Sequence, residues 1–544
     1  MVKRLLGYIF VPLLVVALFI SVGSGARAAT FCVGCTAPGA GCIFAPSIGA
    51  AVGAAQVNAV PFDTIRVAGP GTYFESDGTL SGVPTMPIIV LPDTLRIQGG
   101  WDIATCTVRS DTMPLVNRLT VVNAGLGGSI FDVVAILGTA LDVEVSGFTL
   151  ILGTGLAGVI GGAINGVAAV GSTLNMTISD NILGLATAGA FNTALLGGAV
   201  NLLAVVGSAL TATMERNVCT GNGSFLGITA IVGGCVSSIA VEAIPGVVTT
   251  AFQFQRNNIM AQNAALLVGG GSFNAAIALA GLAFHTTQTR NDTVSDNTVA
   301  LAGAGDAYVN IPIGGAAQTT ACGTNDMIIS NVTGLPATGE NLLIFGGGVP
   351  TVVQNRSSNI GQNVPGGILA IAGGINAIIA PKVACDGAGA NTAGLEDSSI
   401  AQFIDPFGVP PTADPIVGVN YRLKAASECN VLGDKNTIVC EAAFPPTDFE
   451  GVPRDNSIGA AAPPPAPTPT PTPSPSPSPI VSPTPSPIVS PTPTPGGGGG
   501  GGCSLASGTA QLGTAMASIL IPLIPAAFAI GYGVLRRRNR KNER

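Results

Sequence analysis

The feature that most restricts how this chain can fold is a glycine motif that returns at a fixed interval. Gly161-Gly162-Ala163-Ile164-Asn165 recurs as Gly197-Gly198-Ala199-Val200-Asn201, then as Gly233-Gly234-Cys235-Val236 and Gly269-Gly270-Gly271, each start 36 residues after the last. A weaker echo follows at Gly305-Asp306-Ala307-Tyr308-Val309-Asn310. A second motif travels with the first: Ile178-Ser179-Asp180-Asn181, Met214-Glu215-Arg216-Asn217, Phe254-Gln255-Arg256-Asn257 and Val294-Ser295-Asp296-Asn297, at spacings of 36, 40 and 40. Ile329-Ser330-Asn331 continues it. Periods of this length mark one supersecondary unit stacked on copies of itself.

The unit is built of strands. Asp63-Thr64-Ile65-Arg66-Val67, Thr94-Leu95-Arg96-Ile97-Gln98 and Leu141-Asp142-Val143-Glu144-Val145 alternate apolar and polar residues between turn formers. That is the pattern of strands with one face buried. The expected fold is therefore all-β, a parallel solenoid whose coils place equivalent residues in columns. Asn181, Asn217, Asn257 and Asn297 are expected to form one structural column, hydrogen-bonded from coil to coil as Asn ladders are in other stacked sheets. The Gly pairs are expected at corners with no room for a Cβ. The repeat leaves open whether 36 residues make one large coil or two short ones. A competing reading, several membrane helices including Leu195–Met214, explains the hydropathy but neither the repeat nor the Asn spacing.

The two ends of the chain have a different character. Met1-Val2-Lys3-Arg4, an apolar run from Leu5 to Ile20 and Ala26-Arg27-Ala28 have the layout of a secretory signal over residues 1–28. No lipobox precedes Cys32. Residues 461–502 are a Pro/Ser/Thr segment followed by seven glycines. Such a segment has no core to bury and favours an extended stalk on the order of 100 Å long. Residues 503–544 hold Cys503, an uncharged run from Leu512 to Leu535, and then Arg536, Arg537 and Arg538 within a basic tail. The run is long enough to cross a bilayer, and the tail would stay on its cytoplasmic side. Between these ends, residues 29–60 are expected as a Cys-containing cap, 61–380 as the solenoid and 381–460 as its closing segment.

Charge and cysteine content narrow the function. Setting aside the signal and the tail leaves 13 basic against 28 acidic residues, a net charge of about −15. Phosphate binding needs clustered Lys and Arg, so nucleic acid is not an expected partner. Ten cysteines besides Cys503 fit disulfides in an exported protein, with connectivity open. No cofactor or metal site is indicated: Cys32-x-x-Cys35 has no matching second pair and no thioredoxin-like surroundings. The single histidine, His285, stands without a nucleophile motif. Gly153-x-Gly155-x-x-Gly158 lacks the βαβ context that a dinucleotide site requires. The column preceding the asparagines, Asp180, Arg216, Arg256 and Asp296, is the remaining candidate for chemistry. Charge-paired stacking on an outer face accounts for it without catalysis.

Phe62-Asp63-Thr64-Ile65-Arg66-Val67-Ala68-Gly69-Pro70-Gly71-Thr72-Tyr73, followed by Leu95-Arg96-Ile97-Gln98-Gly99-Gly100-Trp101, resembles the opening coils of pectate-lyase-like right-handed parallel β-helix proteins. Asn420-Tyr421-Arg422-Leu423-Lys424-Ala425-Ala426-Ser427 and Asp448-Phe449-Glu450-Gly451-Val452-Pro453-Arg454 resemble the closing segment of bacterial surface β-helix proteins of the choice-of-anchor type. The chain departs from that pattern at Glu428-Cys429-Asn430-Val431, where Pro-Ala-Ile-Asp is usual. The C-terminal block resembles a bacterial sorting signal of Gly/Cys motif, membrane span and Arg cluster, which implies a processing enzyme acting near Cys503. Some β-helix lyases of this type use Arg beside cation-binding acids. The resemblance thus implies an exported, envelope-anchored protein whose partner is carbohydrate or another cell-surface polymer. A noncatalytic binding role is the preferred expectation, with a polysaccharide lyase or glycoside hydrolase as the alternative.

Overall fold

The computed structural model describes residues 28–58, 62–74, 93–109 and 120–299 with short breaks, and beyond residue 300 chiefly strands, the last being Asn420–Leu423. The signal segment before residue 28, the stalk at 461–502 and the block 503–544, with Cys503, Arg536, Arg537 and Arg538, lie outside the described residues. Among the described residues no helix is long and apolar enough to cross a membrane.

The chain winds as a parallel β-solenoid. Three sheets run its length, here called sheet I with 12 strands, sheet II with nine and sheet III with eight. One coil shows the plan: Ile164–Ala169 lies in sheet III, Thr173–Ser179 in sheet I and Ile182–Leu183 in sheet II, before Val200–Val205 returns to sheet III. Successive repeats bond directly, Ile164 beside Val200 and Val200 beside Val236, so one glycine period is one coil. Leu195–Met214, where hydropathy alone would allow a membrane helix, contains the strand Val200–Val205 and most of Ala209–Glu215.

The elasticity of the second motif has a local cause. Four positions separate Val205 from Ala209, whereas nine separate their partners Val241 and Thr250. The corner from sheet III to sheet I thus gains five residues in that coil. The return path compensates: 21 positions separate Glu215 from Val236, but 16 separate Arg256 from Ser272. The glycine period stays at 36 while the asparagines drift.

Sheet I carries the amphipathic signal. Along Thr173–Ser179, Leu174, Met176 and Ile178 are buried while Thr173 and Asn175 are exposed. The matching sheet III strands, Ile164–Ala169 and Val200–Val205, are buried on both faces, and so show no apolar–polar alternation. Small residues keep the interior narrow: a Cβ on Gly166 would sit 2.3 Å from the Met176 sulfur. Each Gly-Gly pair answers two constraints. Gly161, Gly197 and Gly233 have φ of 55°, 63° and 66°, where side chains are disfavoured. A Cβ on the second glycine, Gly162 or Gly198, would lie within 2.2 Å of the carbonyl oxygen of Gly198 or Gly234 on the next coil.

Sheet I begins within residues 29–60, the segment expected as a Cys-containing cap, where Thr30–Val33 pairs in parallel with both Cys42–Ala45 and Asp63–Gly69. The helix Ile48–Asn58 buries Ile48, Ala51, Val52 and Ala55 against these first strands. Ser47 Oγ accepts from the Ala50 N–H at its start, as an N-cap does. Disulfides Cys32–Cys42 and Cys35–Cys106 hold the same region, and Cys219–Cys235 spans a later coil.

Candidate functional site

The corner from sheet I to sheet II carries the asparagine ladder. Asn181 Nδ2 donates to Val145 O at 2.9 Å and to Asn217 Oδ1 at 3.2 Å. Asn217 Nδ2 donates to Ile178 O at 2.7 Å and to Asn258 Oδ1 at 3.0 Å. Asn258 Nδ2 donates to Met214 O and to Asp292 Oδ1, and the Asp292 N–H donates to Asp326 Oδ1. The third rung is therefore Asn258 and not Asn257. Register pairs Arg256 with Glu215, which sets Asn257 one place earlier, at the left-handed corner position with φ 56°. The five-residue insertion hides this shift, because Gln255-Arg256-Asn257 imitates Glu215-Arg216-Asn217.

Asn297 is also displaced from its expected column. It belongs to a second ladder, in which Asn192 Nδ2 donates to Asn222 Oδ1, Asn222 Nδ2 to Asn263 Oδ1 and Asn263 Nδ2 to Asn297 Oδ1, at 3.0–3.2 Å. A third buried column runs through the Gly-Gly motif itself. Asn201 Nδ2 donates to Asn165 Oδ1, Asn165 Nδ2 to Asp132 Oδ1, and Ser237 Oγ to Asn201 Oδ1. Burial raises the Asp132 pKa, with the bonds from Asn165 and Ser129 opposing it.

The charged column resolves into a compact network. Asp180 and Arg216 occupy the same corner position on adjacent coils, with φ of 57° and 53°. They form a bidentate pair, Arg216 Nε to Asp180 Oδ1 and Nη2 to Oδ2, both at 2.8 Å. Arg216 Nη1 also bonds Glu215 Oε1, and Arg256 Nη2 reaches Glu215 Oε2 at 2.7 Å. Burial works against the Arg216 charge, but Asp180 and then Glu215 outweigh it and hold its pKa above the ordinary value. Arg256 sits beside Arg216 rather than above it in one column, and Asp296 lies outside the described residues. The network holds two carboxylates and two guanidinium groups and carries no net charge.

Beside it, the outer face of sheet I bears an aromatic group that the motifs did not reveal. Phe252 and Phe254 point outward two positions apart on Val248–Arg256, the strand that ends in Arg256. Such positions are roughly 7 Å apart. Phe284 lies on the adjacent strand opposite Thr250, while Phe252 and Phe254 face Thr286 and Gln288. Phe252 is exposed, and Phe254 and Phe284 are partly so. Thr211, Thr213, Gln318 and Thr320 continue the face on either side. The alternating run Phe252-x-Phe254 within a strand is the signal that could have located it.

The remaining candidates are interior. His285 is buried, with Nε2 2.8 Å from Ser238 Oγ and Nδ1 3.3 Å from Thr287 Oγ1. Burial drives its pKa down to about 3. The sulfurs of Cys32, Cys35 and Cys106 lie within 4.8 Å of one another, but each is engaged in a disulfide. No protein-family model, curated protein or solved structure matches this chain.

Proposed function

We propose that this chain is an exported, envelope- or surface-anchored protein of the pectate-lyase-like right-handed β-helix type, and that the outer face of sheet I binds polysaccharide without cleaving it. The observation that carries the reading is the outward cluster of Phe252, Phe254 and Phe284 on a flat field of Thr and Gln. Exposed aromatics in a polar frame supply apolar faces for sugar rings, and neighbouring hydroxyls and amides supply hydrogen bonds. The adjoining charges are mutually neutralised, which favours an uncharged polymer over a polyuronate. A lyase or hydrolase would need a free base or carboxylate beside the aromatic group, whereas Asp180 and Glu215 are both held by Arg216 and the exposed Asp142 of the same face lies three strands from Phe252. The Ala26-Arg27-Ala28 site, the stalk and the Leu512–Leu535 span with its Arg cluster support export and anchoring. Cys503 and Arg536–Arg538 are the residues a C-terminal processing enzyme would recognise.

The test is a panel of neutral and acidic polysaccharides offered to the full-length chain, with product release followed in parallel. Neutral polymers should be retained, and Phe252→Ala with Phe254→Ala should weaken retention at least about tenfold. Binding that survives these substitutions, or release of unsaturated or reducing-end products, would refute the assignment.

A further inference from the structure

Two corners of the coil share one backbone conformation and differ in what they display. Where sheet I turns into sheet II, the left-handed position holds Gly147, Asp180, Arg216, Asn257 and Asn291. Where sheet III turns into sheet I, the same conformation falls on Leu137, Val170 and Val206, with φ of 54°, 56° and 54°. A β-branched or bulky residue is a rare occupant of that region. Burial does not offset the strain, since Leu137 is 60% exposed and Val170 49%.

The next two coils widen this corner and keep its chemistry. Ala243, Ile244, Pro245 and Gly246 are exposed, as are Leu279 and Ala280, with Ile244 at 45% and Leu279 at 51%. Val248 and Leu282, which open the following sheet I strands, are exposed as well. The one charged side chain of the described corner residues, Glu242, is buried and accepts from Thr249 Oγ1 and from the N–H groups of Gly207 and Ile244. Backbone bonds from Gly138 to Val170, Gly171 to Val206, Val206 to Val241 and Leu279 to Glu242 tie these turns into consecutive levels. The apolar groups therefore form a ridge along the solenoid, half-buried at Val206 and stepping about 4.8 Å per coil.

We propose that this ridge is a self-association surface whose occupant is the same ridge of a second copy, packed antiparallel about a two-fold axis. A partner must offer apolar groups at the coil spacing, and a second ridge does so in register. Asn or Gly, as used at the opposite corner, would suit an isolated chain better on both strain and solvation, so the side chains answer to something outside the coil. Net charge opposes association of an acidic ectodomain, and the ridge, whose described residues expose no charged side chain, is where two copies meet with least repulsion. Its exposed side chains amount to on the order of 500 Å² per copy, so two ridges together approach the lower end of specific interfaces.

The experiment is sedimentation equilibrium of the full-length chain in density-matched detergent, alone and as Val170→Asn and Ile244→Ser variants. The wild type should form a dimer, and each variant should weaken it at least about tenfold. Val170→Asn also relieves the left-handed strain, so its thermal midpoint should match or exceed the wild type while its association falls. Thr177→Ser, on the outer face of sheet I, should leave the dimer unchanged. A wild type that stays monomeric to about 100 µM, well above the dissociation constants of specific complexes, would overturn the proposal. So would a dimer indifferent to both ridge substitutions.

Discussion

Replacing Asn217 by Ala tests the ladder at its best-defined rung. Its side chain is buried and takes part in four bonds: Nδ2 to Ile178 O and Asn258 Oδ1, and Oδ1 from both the N–H and Nδ2 of Asn181. Truncation does not orphan every partner. Asn181 Nδ2 keeps Val145 O, and Asn258 Oδ1 keeps the Asn217 N–H. The Asn181 N–H has no other side-chain partner and is left buried. One orphaned donor at about 1–3 kcal/mol and the three other bonds at roughly 1 kcal/mol each give a loss of about 4–6 kcal/mol. Urea unfolding followed by far-ultraviolet circular dichroism measures it, provided the slope is unchanged. Asn258→Ala should behave alike. A loss below about 1 kcal/mol at Asn217 would refute the ladder assignment.

Other expectations follow from buried titratable groups and from the ends of the chain. His285 has a folded pKa of about 3, below its unfolded value, so its contribution is intact above about pH 6.5 and is lost as pH falls toward 3, by up to about 1.4 kcal/mol per pH unit. His285→Gln should flatten that part of the stability profile, and a difference curve showing no slope between pH 6 and 4 would contradict this. Asp326 has the opposite sign. Burial raises its pKa, against bonds from Thr289 and the Asp292 N–H and the charge of Arg290, so the stability it lends is present below the unfolded value and lost as pH rises through the folded one. Asp326→Asn should therefore stabilise the protein at pH 8 and change little at pH 4, as read by thermal midpoints. Mass spectrometry of the mature protein should find residues 1–28 removed and the chain cut or modified near Cys503; an intact C-terminus through Arg544 with an unmodified thiol would contradict processing.

How much could be read from the sequence depended on which face of the coil a residue occupies. Sheet I was legible, because one side of Thr173–Ser179 meets solvent and the period of two survives. Sheet III was not, since strands such as Val200–Val205 are buried on both faces and look like helix or membrane segments. The Gly-Gly pairs were readable because backbone geometry allows nothing else there. The ladder was half legible. Asn181 and Asn217 sit in uninterrupted coils, but the insertion before Val248 shifted the third rung to Asn258. Asp292 and Asp326 continue the column in another residue type, which the spacing of the asparagines does not mark. The aromatic face was missed because Phe252 and Phe284 come together only through the pairing of Thr250 with Phe284, 34 residues apart.

The register of the coils is best tested by a double-mutant cycle on Asp180 and Arg216. These residues are 36 positions apart and meet only if one repeat is one coil stacked in the described register. Their side chains are 14% and 20% exposed and joined by two bonds of 2.8 Å. Asp180→Asn, Arg216→Gln and the double variant, compared by urea unfolding, should give a coupling of about 1–2 kcal/mol, above the range of open surface pairs. Additive losses, with coupling below about 0.3 kcal/mol, would mean that the two residues do not share a corner and that the solenoid is not wound in this register.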